Sequence, residues 1–453
     1  RELSTWPELT VDAAALIVRE RGCQQGQAII MQKVQEYVQA TKSPSGWVCE
    51  GACIMHTTSI KDTYLGPAAR VEHATEVDNV CVLSSPQEPT VIGGAAIVTD
   101  SILQWGAEVA GHAIVRQSVL LEHSGVEDHG IINETILGPN TSVAKGEVTA
   151  SLVGPFVGFH HQSLLISAYW PEGKGNVAYG AKVGSNHTGR APDQEICPGE
   201  ANFFGLGSVI RFPGDFSQAP YSLLAAGVST LPQKLTFPFS LIAEPKDAAL
   251  GNGRDLIPPA FNEVWPAWGL YKNAYAMARF EAKFAKRDKA RRHNIPYDVL
   301  RPDIVDLIES AIQRLEQAAA RASKDIYTEK DCPGLGKNFM RESSRVMAVQ
   351  AYKNALKRYT LRGLMMHPDS AKSTALGDDA EQRKRHIQEC LQAEKDHVQC
   401  VLDSKKSDDV RGRNVIDTWA AAHPPAEEDP VVIKAFASLQ RVEEHVEALL
   451  RDL

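Results

Sequence analysis

The chain has 453 residues, 43% hydrophobic and 23% charged, so it is long enough and apolar enough for two or three domains around a large core. Its formal net charge of −8 excludes a global attraction to nucleic acid or to an acidic membrane surface. No apolar run reaches the length of a membrane span, and the eight cysteines contain no C-x-x-C pair, which argues against a disulfide framework or a zinc ribbon and for a reducing compartment.

Residues 8–42 read as helical. Thr10 can cap the run VDAAALIVRERG, which Gly22 closes, and QQGQAIIMQKVQEYVQA places Ile29, Ile30, Val34, Tyr37 and Val38 on one face. Residues 1–45 are therefore expected to form a helical cap over the open end of the element that follows. The sequence begins with Arg1 rather than Met, which predicts a further N-terminal portion in the full-length protein.

From residue 46 the pattern becomes β-like and then repeats. Val80, Ile97, Ile114, Ile131, Val148 and Leu165 are each seventeen apart; so are Ile92, Val109, Val126 and Val143, and so are Ile102, Val119, Ile136 and Val153. Three aliphatic columns with one period describe a three-sided coil filled by stacked β-branched residues: a parallel β-helix, in which each turn buries its apolar side chains against the next. Gly and Asn recur between the columns, as at Gly93-Gly94, Gly106, Gly111 and Gly138-Pro139-Asn140, where tight corners require left-handed backbone. The coil is expected over 46–243, with 187–203 projecting from it as a loop.

A Pro-rich connector (244–268) leads to an α-helical C-terminal region, 269–453. Helices are predicted near 269–292, 302–323, 338–361, 379–403 and 430–451, with 404–429 as a polar linker. The basic run from Lys283 to His293 reads as a solvated helix face or a partner-docking surface rather than a nucleic-acid site, because Asp288 interrupts it.

Chemistry-bearing residues concentrate in the coil. The period stacks His112 over His129, about 4.8 Å apart on adjacent turns, a candidate metal pair. It puts His160 on the column of Ile92, Val109, Val126 and Val143, with His161 beside it. His160, His161 and His187 are the candidate catalytic bases. The phrase GSNHTGR, Gly184–Arg190, offers Asn186, Thr188 and Arg190 as phosphate or sugar donors, with Lys174 and Lys182 nearby to reinforce an anion site. There is no Walker loop, no G-x-G-x-x-G after a strand, no H-E-x-x-H and no G-x-S-x-G.

The repeat, with VGPFVGFHHQSLLISAYWPEGKGNVAYGAKVGSNHTG and FPGDFSQAPYSLLAAGVSTLPQKLTFPFSLI, resembles the left-handed β-helix (trimeric LpxA-like, hexapeptide-repeat) superfamily. Within it, the chain resembles the C-terminal hexapeptide-repeat region of plastid UDP-glucose pyrophosphorylase-like proteins and bacterial relatives, in which a helical tail follows the coil. The resemblance implies a left-handed coil, a homotrimer, and a link to nucleotide-sugar metabolism in a chloroplast stroma or a bacterial cytoplasm. It does not imply that these residues make the nucleotide sugar, because the glycine-rich nucleotidyltransferase motif is missing. Three functions follow as expectations. The first is an assembly and ligand-binding module for a sugar nucleotide or phosphate. The second is a hexapeptide-type acyltransferase with a His base and a coenzyme A thioester donor. The third is a carbonic-anhydrase-like β-helix with zinc at a subunit interface, using His112, His129 and His160 or His161.

Overall fold

The structure, a computed structural model, describes residues 4–185, 195–245 and 262–453. Its contacts divide the chain into two compact units, Arg1–Lys234 with Ala243–Asn262 and Arg287–Ile295, and Leu235–Ile242 with Glu263–Lys286 and Pro296–Leu453. Among the described residues no helix is long and apolar enough to cross a membrane.

The first unit is a parallel β-solenoid. Its strands run from Trp47–Val48 to Gln233–Lys234 and pair in parallel with the strand one turn on. Each turn has three flat faces joined by tight corners. On one face Val77, Val98, Val115, Ile132, Val148 and Leu165 stack inward. On another, Val71, Ile92, Val109, Val126, Val143, Phe159 and Val177 do so. Leu65, Val82, Leu103, Leu120, Leu137, Val153 and Trp170 fill the third. All are essentially solvent-free, and each contributes on the order of 1.5–3 kcal/mol by burial. Neighbouring interior positions carry a hydroxyl ladder. Ser101, Ser118, Thr135 and Ser151 accept, in turn, the backbone N–H of Ser118, Thr135, Ser151 and Ala168 on the next turn.

This register corrects the sequence reading in three places. Ile97, Ile114 and Ile131 face outward, and the column behind them, Val98, Val115 and Ile132, faces in; Ile131 is 40% exposed. From there the turn shortens to sixteen residues: Ile132 pairs with Val148, and Val143 pairs with Phe159. Phe159, not His160, therefore occupies the aliphatic column, and His160 pairs with Ala144 on the exposed side. Likewise Ile102, Val119 and Ile136 point outward, while Val153 points in.

That outward stripe has a partner. Helix α1 (Val11–Arg19), capped by the Thr10 hydroxyl, packs Val11, Ala14 and Ala15, with Leu9, on Val119, Leu121, Ile136 and Leu152. It lies along the wall of the solenoid across successive turns. The inward-pointing Val48 and Ile54 of the first turn remain 58% and 44% exposed. Helix α2 (Gln24–Thr41) buries none of its side chains fully, and Ile29, Tyr37 and Val38 of its apolar stripe are exposed.

Each corner of a regular turn uses left-handed backbone at one or two residues, mostly not at glycine. One corner runs through Gly106, His123, Asn140, Phe156, Lys174, Ala201 and Tyr221; another carries His56, His73, His112, His129, Lys145 and His161. The ladder bonds on either side hold these residues in a region that L-residues otherwise avoid. Of the predicted loop 187–203, Ile196–Cys197 is a coil strand paired with Gly214–Asp215. Residues 186–194 lie outside the described residues.

The second unit is mainly helical: α3 (Trp268–Tyr271), α4 (Ala274–Arg287), α5 (Pro302–Arg321), α6 (Glu342–Met366), α7 (Ala380–Arg413), α8 (Trp419–Ala422) and α9 (Pro430–Arg451). The expected polar linker begins ten residues late, because α7 continues to Arg413. Leu361 and Leu364 of α6, Ile387 and Cys390 of α7, and Val442, Val446 and Leu449 of α9 form one apolar cluster. Tyr352 donates to the Pro238 carbonyl at 2.6 Å, and Arg314 lies 4.7 Å from the centre of the Phe237 ring. In the predicted connector, residues 246–261 lie outside the described residues and Asn262–Trp265 is a strand.

Candidate functional site

Among the described residues, the candidates that the sequence suggested fall in separate places on the coil. His112 and His129 stack as the period requires, with ring centroids 5.0 Å apart and planes within 5°, and both are exposed. His56 and His73 repeat the arrangement at 4.9 Å lower on the same corner. Parallel rings send their in-plane lone pairs side by side rather than toward a common point. His161 belongs to this corner but two turns above His129, with Lys145 between, a rise of about 10 Å. Within one chain the three histidines of the zinc reading do not converge, and among the described residues no group of three or more His, Cys, Asp or Glu is placed to hold a metal ion.

His160 and His161 are adjacent exposed rings 6.2 Å apart. Lys182 is exposed on an outer face. Lys174 is on another corner and only 4% exposed, where its ammonium meets Glu200 at 2.7 Å; Tyr221 donates to the same carboxylate oxygen at 2.8 Å. Its charge is thus engaged inside the protein rather than presented to an external anion. Asn186, His187, Thr188 and Arg190 lie outside the described residues.

The densest charged cluster is one that the sequence reading did not assemble. Glu88, Trp105 and Glu122 are seventeen apart, hence on three consecutive turns of the corner that carries His123. Their carboxylates are 3% and 0% exposed. Residues 287–295, read from sequence as the end of a helix, leave α4 at Arg287 and lie along this corner as an irregular strap. Asn140 donates to Asp288 at 2.8 Å and accepts from the Lys289 N–H at 3.1 Å. The Arg292 guanidinium bonds to both carboxylates, reaching Glu88 Oε2 at 3.1 Å, and sits 3.8 Å from the centre of the Trp105 ring. The Arg292 backbone N–H reaches Glu122 at 3.0 Å, and His293 Nδ1 reaches it at 2.8 Å. His123 Nε2 lies 3.1 Å from Glu88. Gly106, at φ 70°, makes room for this imidazole, since a Cβ there would fall 2.3 Å from His123 Nδ1.

Burial pushes the Glu122 carboxyl up, but the bonds from His293, Arg292 and the Arg291 and Arg292 backbone outweigh it and bring the pKa down to about 2. Glu88 is lowered by the same opposition of burial against Arg292, His123 and Arg291. Both carboxylates are held ionised inside the corner. The signal was present in the sequence as an acid–aromatic–acid column on the seventeen-residue ruler; its cationic partners, about 170 residues downstream, had no local mark.

The comparisons with known proteins attach no activity to the chain. An uncharacterized protein of Treponema pallidum (strain Nichols) is 35% identical over 306 residues, covering 66% of this chain and 40% of the relative, so the chain spans well under half of that protein's length. A family model described as a domain of unknown function (DUF4954) matches residues 1–318, the whole solenoid with its strap and the start of the helical unit. The chain belongs to the DUF4954 family.

Proposed function

We propose that the solenoid is an assembly and ligand-binding module working on nucleotide sugars, built as a left-handed coil of the trimeric LpxA-like type and forming a homotrimer. The observation that carries this reading is the exposed histidine corner, with His112 stacked on His129 and His56 on His73. Flat stacked imidazoles offer faces for a nucleobase, worth about 1–3 kcal/mol per stacked base, and ring N–H donors for a diphosphate. A rigid coil also holds flat outer faces that can pack against copies of themselves around a closed symmetry axis. The turn of sixteen to seventeen residues, with faces of two or three residues, supports the left-handed sense. Eight free cysteines support a reducing compartment, and the bacterial relative favours a bacterial cytoplasm over a plastid stroma.

Calorimetric titration with UDP-glucose tests this. Binding that weakens at least tenfold in the H112A/H129A double variant supports it; no heat with UDP-glucose, ADP-glucose or free UDP ends it.

The adjacent exposed rings of His160 and His161 favour a second reading, acyl transfer from a coenzyme A thioester with one of these histidines, or His187, as general base. Thioester turnover with an amine or hydroxyl acceptor, abolished in H160A/H161A, would establish it. Turnover unchanged in that variant and in H187A would remove it.

A further inference from the structure

The column Glu88, Trp105 and Glu122 has the chemistry of a cation site whose walls all belong to the coil. Two carboxylates buried on one corner are strongly disfavoured unless charge-assisted donors meet them. From the coil, Glu88 has His123; Glu122 is met by the backbone N–H groups of Arg291 and Arg292, the Arg292 guanidinium and His293, all from the strap.

The geometry selects a guanidinium rather than an ammonium. One planar group is shared between carboxylates from turns two apart and lies flat against the indole of the turn between them. A planar fork with several donors and a weakly hydrated face satisfies that arrangement; a compact, strongly hydrated ammonium offers neither stacking plane nor fork. The strap's fit also leaves something over. His293, 7% exposed, spends Nδ1 on Glu122, while its buried Nε2 has no hydrogen-bond partner. A strap that leaves a buried ring nitrogen unpaired fits the corner incompletely, which lowers the cost of displacing it.

We propose that Glu88, Trp105 and Glu122 form a guanidinium-recognition site, occupied in this chain by its own Arg292, and that the arginine side chain of a peptide is the class of ligand that takes Arg292's place. The strap is held on the coil through Asn140, Glu88 and Glu122, and the bonds that the Arg292 guanidinium makes to Glu88 and Glu122 are the ones a competing arginine side chain can replace. This site is independent of the histidine corner.

Chemical rescue of the full chain tests the proposal. R292A is expected to melt roughly 5–10 °C below the parent, the loss that follows from stranding two buried carboxylates. Guanidinium chloride at about 20 mM should recover at least half of that shift, because at this concentration its denaturing action, linear in concentration, is negligible. Methylammonium chloride at the same concentration and ionic strength should recover none of it, and the parent should respond to neither. A synthetic peptide of residues 288–294 should bind R292A and lose at least tenfold in affinity when its own position 292 is alanine. If R292A does not fold, R292K, which keeps the charge without the fork, takes its place in both measurements. Equal rescue by guanidinium and methylammonium, rescue by neither, or peptide binding indifferent to its arginine would each overturn the assignment.

Discussion

Glu122 and His293 lie 171 residues apart in sequence and 2.8 Å apart in space, joined between a carboxylate with no exposed surface and an imidazole Nδ1. The pair shows how this protein handles charge. The coil buries carboxylates on one corner, and a segment from far downstream supplies the donors that keep them ionised.

That contact makes stability depend on acid. The Glu122 carboxyl drops from an ordinary 4.5 to about 2 on folding, so its contribution is complete above about pH 4.5 and is lost as the pH falls toward 2. A depression of this size corresponds to roughly 3 kcal/mol. E122Q should be less stable than the parent by about 3–5 kcal/mol at pH 7, since it leaves Arg292 and His293 without their anion. Urea unfolding from pH 7 to pH 2.5 should show the gap between the two proteins closing as the pH drops. A gap that stays constant would mean that the carboxylate's charge is not what matters.

The register of the first face can be tested with neighbouring isoleucines. Ile132 points into the coil and Ile131 out of it. I132A should cost about 2–5 kcal/mol in equilibrium unfolding, while I131K should stay within roughly 0.5 kcal/mol of the parent. The opposite order would restore the uninterrupted seventeen-residue columns.

The sixteen-residue turn makes a similar claim one face over. F159A should cost about 3–5 kcal/mol, because Phe159 is wholly buried between Val143 and Val177. H160A should leave the melting temperature nearly unchanged, so any activity it loses is chemical rather than structural. Thermal melts of both variants, read beside the ligand titrations, separate those outcomes.

The hydroxyl ladder should also be measurable. Ser118 accepts the Thr135 N–H at 3.1 Å and donates to the Arg116 carbonyl at 2.6 Å, inside the coil. S118A strands that buried N–H and should cost about 1–3 kcal/mol. Hydrogen exchange at Thr135 should accelerate selectively; protection unchanged at that amide would show that another acceptor has taken over.

The seventeen-residue recurrence of Val109, Val126 and Val143 was enough to determine a stacked three-sided coil, because only a repeating turn buries a repeating column. The same ruler correctly put His112 over His129. It could not separate inside from outside on the faces where aliphatics sit on both sides. Ile102, Val119 and Ile136 look like core in the sequence, and they are apolar because α1 covers them from without. Nor could it see the single-residue shortening after Ile131, which turned His160 outward and Phe159 in. What tertiary structure alone decided was the charged corner. Glu88, Trp105 and Glu122 were spaced on the ruler, but a buried carboxylate is recognisable only with its donors, and chain folding brought Arg292 and His293 to them from a stretch that reads locally as a solvated basic helix.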